Sequence, residues 1–259
     1  MERLRSATSL VPGVLAGRLA ALGRAAFDRF NGLVPRFYCP ACGTWTFYFR
    51  RFGTRRWAQC RVCGSLPRHR TLAAFLTLNA GRFARFRRFL EVSPSVGTAL
   101  EGLFRRLGAR VERYEYADLD PVRYESFGRP VVRLDLQALD LPFAAGSFDV
   151  VVCCHVLEHV PDEEAALGNL HRLLALGGVA LVQVPVDPSL PVTEEWDAPD
   201  PSRHGHVRQY GADVADRFRA AGFRVTTARF PPKPANLRAF RVVRGEHSPI
   251  FLLESPPET

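Results

Sequence analysis

The 259-residue chain predicts an α/β fold, a doubly wound sheet of mainly parallel strands behind a small N-terminal metal-binding module. Three observations predict it. Short, mainly apolar runs at 89–92, 148–154 and 179–184, each broken by one polar residue, Glu91, Asp149 or Gln183, have the pattern of strands buried on both faces. Amphipathic segments alternate with them, as where Leu100, Leu103, Phe104 and Leu107 share one helical face. Ahead of both stand two Cys-x-x-Cys pairs, Cys39/Cys42 and Cys60/Cys63, separated by seventeen residues. This length holds one full α/β domain and a small appendage.

Charge is unevenly placed. Residues 1–90 carry seventeen arginines against Glu2 and Asp28, a net +15, whereas the remainder carries −6. An anionic partner of the N-terminal third follows from that asymmetry, whether nucleic acid, a phosphorylated glycan or a membrane surface. GC-rich coding explains it as economically, because Lys233 is the sole lysine. No run reaches the roughly 18 to 20 apolar residues of a membrane span, so a cytoplasmic protein is expected. Within 1–36, Leu15, Leu19, Leu22, Ala26 and Phe30 fall at helical spacing. They predict an amphipathic helix that covers a neighbouring surface or lies on a membrane.

The cysteine pairs fall in the spacing window of a structural zinc site, and a four-cysteine zinc ribbon is expected over 37–66. Gly43 and Gly64 follow the two pairs and permit the tight turns such knuckles need. Four thiolates leave no open position, so the metal is structural. Two disulfides or four free thiols are the alternatives, disfavoured in a chain without an export signal. Residues 45–49 and 57–59 read as hairpin arms around Phe52-Gly53-Thr54. Ser65 and Pro67 then start a helix, with Leu72, Phe75 and Leu76 on one face and Gly81 as its stop. Arg68, His69 and Arg70 occupy its first turn, where the helix dipole disfavours cations. They are therefore paired with acidic groups or held for an anionic ligand.

The main domain is expected over 67–259. Strand one spans 89–92, and its helix closes at Gly108. Strand two, 113–117, ends in Asp118-Leu119-Asp120-Pro121. Strand three, 131–134, ends in Asp135, and strand four, 148–154, ends in His155. Asp162 opens a helix closed by Gly177-Gly178, before strand five at 179–184. Residues 185–203 show no period and read as a loop, part of a cap over 185–210. A helix at 212–222, a strand at 223–230 and a last strand at 250–254 bring the strand count to seven. In such sheets ligands bind at the carboxyl ends of strands, where Asp135 and His155 fall.

Asp135-Leu136, Leu141-Pro142-Phe143, Gly146-Ser147-Phe148-Asp149, His155-Val156-Leu157-Glu158-His159-Val160 and Leu176-Gly177-Gly178, in this order, resemble class I S-adenosylmethionine-dependent methyltransferases of type 11. The run from Cys60 to Arg70 is similar to the ribbon-to-helix junction of the bacterial members that carry an N-terminal ribbon. The resemblance implies a Rossmann-like, seven-stranded sheet whose last strand is antiparallel, with S-adenosylmethionine as cofactor. It implies that Glu91 precedes the cofactor loop, and that Asp118, followed by Leu119, binds the ribose with Asp120 as runner-up. Asp135 would lie beside the adenine, the Leu136 amide facing a ring nitrogen, with His155 at the end of strand four. The departure is in the loop. Glycines are expected at 93, 95 and 97, where the chain has Ser93, Ser95 and Gly97, with Pro94 fixing φ and removing an amide donor. We read a cofactor pocket with an altered lip.

Methyl transfer from a sulfonium is an in-line displacement, so positioning dominates and a base is optional. His155, His159 and His206 are the titratable candidates for it. Thr193, Glu194, His206, Arg208 and Tyr210 mark the substrate side. A small molecule or glycan is the expected acceptor. RNA, gripped by the Arg-rich ribbon with its aromatics, is the alternative, and a non-catalytic binding module is a third reading motivated by the missing glycines. Oligomeric state is not legible.

Overall fold

A computed structural model describes residues 37–95, 99–228 and 249–255. The helix expected within 1–36 and the cofactor-loop Gly97 lie outside the described residues.

The centre is a seven-stranded sheet ordered β12-β13-β9-β8-β5-β6-β7. Its strands are β5 (Arg88–Val92), β6 (Arg113–Asp118), β7 (Val131–Arg133), β8 (Phe148–Cys154), β9 (Leu174–Gln183), β12 (Arg224–Ala228) and β13 (Ile250–Glu254). β7, β6, β5, β8 and β9 run parallel, and β13 runs antiparallel to both β9 and β12. β5 and β8 are central because both faces are apolar. Val151 and Cys153 of β8 join Leu90 and Val92 in one cluster, whereas Val150 and Val152 join Phe89 on the other face. The helices are α1 (Pro67–Leu78), α2 (Ala80–Phe83), α3 (Ala99–Arg106), α4 (Glu163–Leu173) and α5 (Val214–Ala220). Asp162 caps α4 by accepting from the Ala165 amide at 2.9 Å.

Residues 37–66 form two hairpins, β1 (Phe37–Cys39) with β2 (Thr44–Thr46) and β3 (Arg50–Phe52) with β4 (Arg55–Gln59). The expected arm at 45–49 is thus divided. Trp45 and Thr46 pair back onto Tyr38 and Phe37, since each knuckle closes its own turn, with Gly43 and Gly64 in the left-handed region and their amides on Cys39 O and Cys60 O. The module shares an apolar cluster with the sheet: Cys39, Ala41, Phe49 and Cys60 pack with Leu72, Phe83 and Phe104.

Three further expectations are corrected. Leu66, not Ser65, is the N-cap of α1, and that helix ends at Leu78 with Asn79 as its cap, so Gly81 lies inside α2. Gly177 and Gly178 do not close α4. They sit within β9, where a Cβ on Gly178 would come within 2.8 Å of Ala175 O and 3.1 Å of Asp149 O. The glycine pair therefore serves the register shift between β8 and β9. The supposed loop after β9 contains β10 (Glu194–Asp200) and β11 (His206–Gln209), an antiparallel strap with a bulge between Glu195 and Asp200. No helix among the described residues is long and apolar enough to cross a membrane.

Candidate active site

Four non-glycine residues among those described have positive φ, and three of them, Ser93, His155 and His204, stand at the carboxyl end of the sheet or in the strap above it. Such conformations cost of order 1 kcal/mol or more and persist where surrounding contacts impose them. Ser93 (φ 53°) adopts a backbone that glycine takes freely, and its amide donates to Ala117 O at 2.8 Å. The turn is kept although the glycine is not.

Ser95 is held by α1. The Leu66 amide donates to His69 Nδ1 at 3.1 Å, which leaves the proton on Nε2 to donate to Ser95 Oγ at 2.8 Å. Burial pushes the His69 pKa well below the ordinary histidine value, so the ring is neutral. Arg70 is fully buried and donates to Ala58 O at 2.9 Å and Ser65 O at 2.5 Å, its guanidinium 4.3 Å from the Phe49 ring centroid. It satisfies carbonyls of the cysteine module. Glu91 is buried beneath the loop, accepts from Tyr114 Oη at 2.8 Å, and has its pKa pushed up to about 8 by desolvation.

On the β6 side, Asp118 is buried. Its Oδ1 accepts from the Asp120 amide at 2.8 Å and its Oδ2 from Tyr124 Oη at 2.9 Å. Leu119 and Asp120 are exposed. Asp135 forms a local turn by accepting from the Gln137 amide at 3.0 Å, and Leu136 is buried beside it.

On the β8 side, His155 Nδ1 donates to Glu158 Oε1 at 3.0 Å, leaving His155 Nε2 and Glu158 Oε2 buried without partners. His159 Nδ1 donates to Gly205 O at 3.1 Å, which fixes its lone pair on Nε2. The rings of His159 and His206 meet edge to face at 4.8 Å. Ligand atoms of Glu158, His159 and His206 all lie within 4.8 Å of one another. Burial lowers the His206 pKa, so this ring is neutral at neutral pH. His206 also lines a cavity of about 410 Å³ formed by the strap and the turn before it, with Asp187, Glu194, Trp196, Arg203 and His204.

Three of the remaining substrate-side residues make contacts inside the fold. Arg208 is 1% exposed and donates to Leu157 O, Val160 O and Pro161 O at 2.6 to 2.9 Å, besides pairing with Glu195. Tyr210 is fully buried, its hydroxyl 2.5 Å from Glu163 Oε1. Thr193 spends its hydroxyl on Asp213 at 2.7 Å and on the Gly211 amide at 3.1 Å. All three hold the strap to the domain, whereas Glu194 and His206 face the cavity. Sequence reasoning did not assign Tyr124, Arg203 or His204. The 4.0 Å stack of the Arg203 guanidinium on Trp196 has no local signature, but Glu158 stood in a motif already singled out.

In the module, Cys39 Sγ lies 3.7 Å from Cys63 Sγ and Cys42 Sγ 3.9 Å from Cys60 Sγ, and all four sulfurs fall within 4.8 Å. A tetrahedral ion with bonds of about 2.3 Å has edges of about 3.8 Å, so the thiols fit one zinc. All six cysteines are unpaired as disulfides. Hydrogen bonds from Cys39, Cys42 and Cys63 hold the Cys60 thiol far below the usual range, while Cys39 is pushed well above it by Cys42 first.

A family profile described as "Methyltransferase domain" matches residues 66–228. The chain is 29% identical over 127 residues to a hybrid PKS-NRPS synthetase of Talaromyces variabilis, covering 45% of this chain and 3% of that protein. It is 29% identical over 115 residues to the chloroplastic 2-methyl-6-phytyl-1,4-hydroquinone methyltransferase 2 of Oryza sativa subsp. japonica, covering 42% and 32%. The chain thus spans a small part of the curated relatives it matches. Among solved structures, the 1,6-didemethyltoxoflavin-N1-methyltransferase of Burkholderia thailandensis is similar at 18% identity and a TM-score of 0.46, with 71% of this chain and 76% of that one covered.

Proposed function

This chain belongs to the methyltransferase-domain family, and from that premise we propose that it transfers a methyl group from S-adenosylmethionine to a small-molecule or glycan acceptor held under the strap. The observation that carries this reading is a set of buried polar atoms without partners, Arg68 Nε, His155 Nε2 and Glu158 Oε2. Those of His155 and Glu158 stand at the end of β8, joined through His159 and His206 to the cavity. The cofactor supplies a methyl already activated on sulfur, so the protein's work is to bind, align and exclude water.

Asp118 would accept the ribose hydroxyls, taking them in place of Tyr124 Oη, while Asp135 and Leu136 would border the adenine. Ser93, in glycine's backbone conformation, keeps the turn of the loop. His159 Nε2 and neutral His206 can each take the proton of an acceptor hydroxyl or amine at the cavity mouth. Cys39, Cys42, Cys60 and Cys63 would hold one structural zinc.

Calorimetric titration with S-adenosylhomocysteine tests the reading. Wild type should bind, and Asp118→Ala and Asp135→Ala should each weaken binding about ten- to a hundredfold, or ~1.5 to 3 kcal/mol. Unchanged affinity in both variants would move the cofactor away from the strand ends. No binding by wild type would favour a non-catalytic module. RNA as acceptor is a second reading, motivated by exposed Trp45, Tyr48, Phe52 and Trp57 beside Arg50, Arg51, Arg55 and Arg56.

A further inference from the structure

The turn after β8 and strand β11 hold three ligating side chains in one place. Arg208 of β11 donates to Leu157 O, Val160 O and Pro161 O, which clamps the short turn Leu157–His159 against that strand. His159 Nδ1 donates to Gly205 O at 3.1 Å, so its Nε2 carries a lone pair. Histidines that ligate metals are oriented in this way, by a bond from the other ring nitrogen to a carbonyl. His206 opens β11, and burial keeps its ring neutral, the form that ligates. Glu158 is 1% exposed and places Oε1 against His155 Nδ1 at 3.0 Å. Its Oε2 is buried without a partner. A carboxylate oxygen withdrawn from water needs a donor or a cation.

Ligand atoms of Glu158, His159 and His206 lie within 4.8 Å of one another. Bonds of about 2.0 to 2.2 Å to one ion put ligand atoms no more than roughly 4.4 Å apart, so shifts below about 1 Å close the set. Two imidazoles and one carboxylate suit borderline divalent ions such as Mn²⁺, Fe²⁺, Co²⁺ or Zn²⁺, whereas Mg²⁺ and Ca²⁺ take oxygen ligands. Three protein ligands leave positions open, in contrast to the four sulfurs of the cysteine module. The cavity that His206 lines with Glu194, Trp196 and His204 adjoins them.

We propose that Glu158, His159 and His206 bind one divalent transition-metal ion whose open positions hold a hydroxyl oxygen of the methyl acceptor. The metal site stands on the geometry alone, whereas its task towards the acceptor rests on the proposed methyl transfer and deepens it. With the ion bound, both imidazole lone pairs are engaged. The hydroxyl proton then leaves to water, because the ion lowers the pKa of an oxygen bound to it. A lone pair of that oxygen forms the new C–O bond as the C–S pair returns to sulfur, giving a methyl ether and S-adenosylhomocysteine.

The zinc-loaded full chain, titrated with Mn²⁺, tests the site, since thiolates select zinc over this ion. The paramagnetic resonance of free Mn²⁺ should show one ion bound per chain. His159 is exposed, so His159→Gln should fold. It should weaken Mn²⁺ binding at least about tenfold, because loss of even an outer-shell partner costs that much. Glu158→Gln keeps the buried shape and should do the same, and His206→Gln replaces it if that variant fails to fold. No bound Mn²⁺, or binding that survives the loss of each ligand, overturns the proposal. Bound Mn²⁺ should also speed the relaxation of water protons through its open positions, and an ion without exchangeable water refutes the task towards the acceptor. A parallel titration with S-adenosylhomocysteine separates the two readings. Binding of that ligand without Mn²⁺ sinks this inference alone, whereas Mn²⁺ binding without the ligand supports the metal site and removes methyl transfer.

Discussion

The cysteine module and the seven-stranded sheet solve the same problem by different means. In the sheet, strands such as β8 and β9 bury most of their residues, and the two apolar clusters on its faces carry the fold. In the module, strands of three to five residues leave Trp45, Tyr48, Phe52 and Trp57 exposed, and the inward points are Cys39, Cys60, Ala41, Phe49 and Ala58. So small a core cannot offset the entropy of ordering thirty residues. On the proposed reading the module depends on a metal held by its four sulfurs, whereas the sheet depends on apolar area. The two nonetheless meet at Arg70, so damage to one should reach the other.

Disrupting the sulfur cluster should do the most harm. Cys60→Ser should release the metal and unfold the module locally, at a cost on the order of 10 kcal/mol. Elemental analysis should fall from one zinc per chain to none, while far-ultraviolet circular dichroism retains the signal of the sheet domain. A metal-free protein whose 37–66 amides stay protected from exchange would overturn the contrast. Affinity for S-adenosylhomocysteine should fall as well, through the displaced first turn of α1.

Damage to the sheet ranks next. Phe104 is fully buried against Phe83, Phe89 and Tyr114, so Phe104→Ala should lower global stability by about 3 to 5 kcal/mol without releasing zinc. Denaturant midpoints and metal content measured together separate the two outcomes.

Within the sheet, one buried carboxyl makes a smaller difference. Glu91 has its pKa raised from 4.5 to about 8, so the folded chain holds a proton that the unfolded chain has lost across that window. Its contribution is fully present below about pH 4.5, is lost as pH rises towards 8, and is flat beyond. The slope is about 1.4 kcal/mol per pH unit between those two values. Glu91→Gln should remove it. If urea midpoints between pH 5 and 8 show the same slope in both proteins, the carboxyl ionises freely.

The exposed face of the module should matter least. Replacing Arg50, Arg51, Arg55 and Arg56 with Gln should leave zinc content and S-adenosylhomocysteine affinity unchanged and reduce only a weak, sequence-indifferent affinity for RNA. Each phosphate no longer neutralised should lower the log-log salt slope by about 0.7. Tight binding of one RNA at physiological salt, abolished by the four substitutions, would make RNA the acceptor.

The strands, their alternation with helices, the sulfur spacing and the acidic or histidine residues at strand ends were all legible in the chain alone. These are local quantities: a continuous apolar run reads as a buried strand, and the residue that ends it stands at the sheet's edge. What polar side chains do was settled only by the folded arrangement. Thr193, Arg208 and Tyr210 look like site residues in a polar stretch, yet each is spent on a distant partner, Asp213, Leu157 O or Glu163. The strap was illegible for the same reason, since β10 and β11 are polar and pair across a bulge, with no alternation to mark them. Arg68, His69 and Arg70 were visible as an anomaly at a helix start, but their separate fates depend on the module folding back over α1. Burial leaves a periodic trace in the chain, whereas the partner of a polar group is chosen by residues far away in sequence.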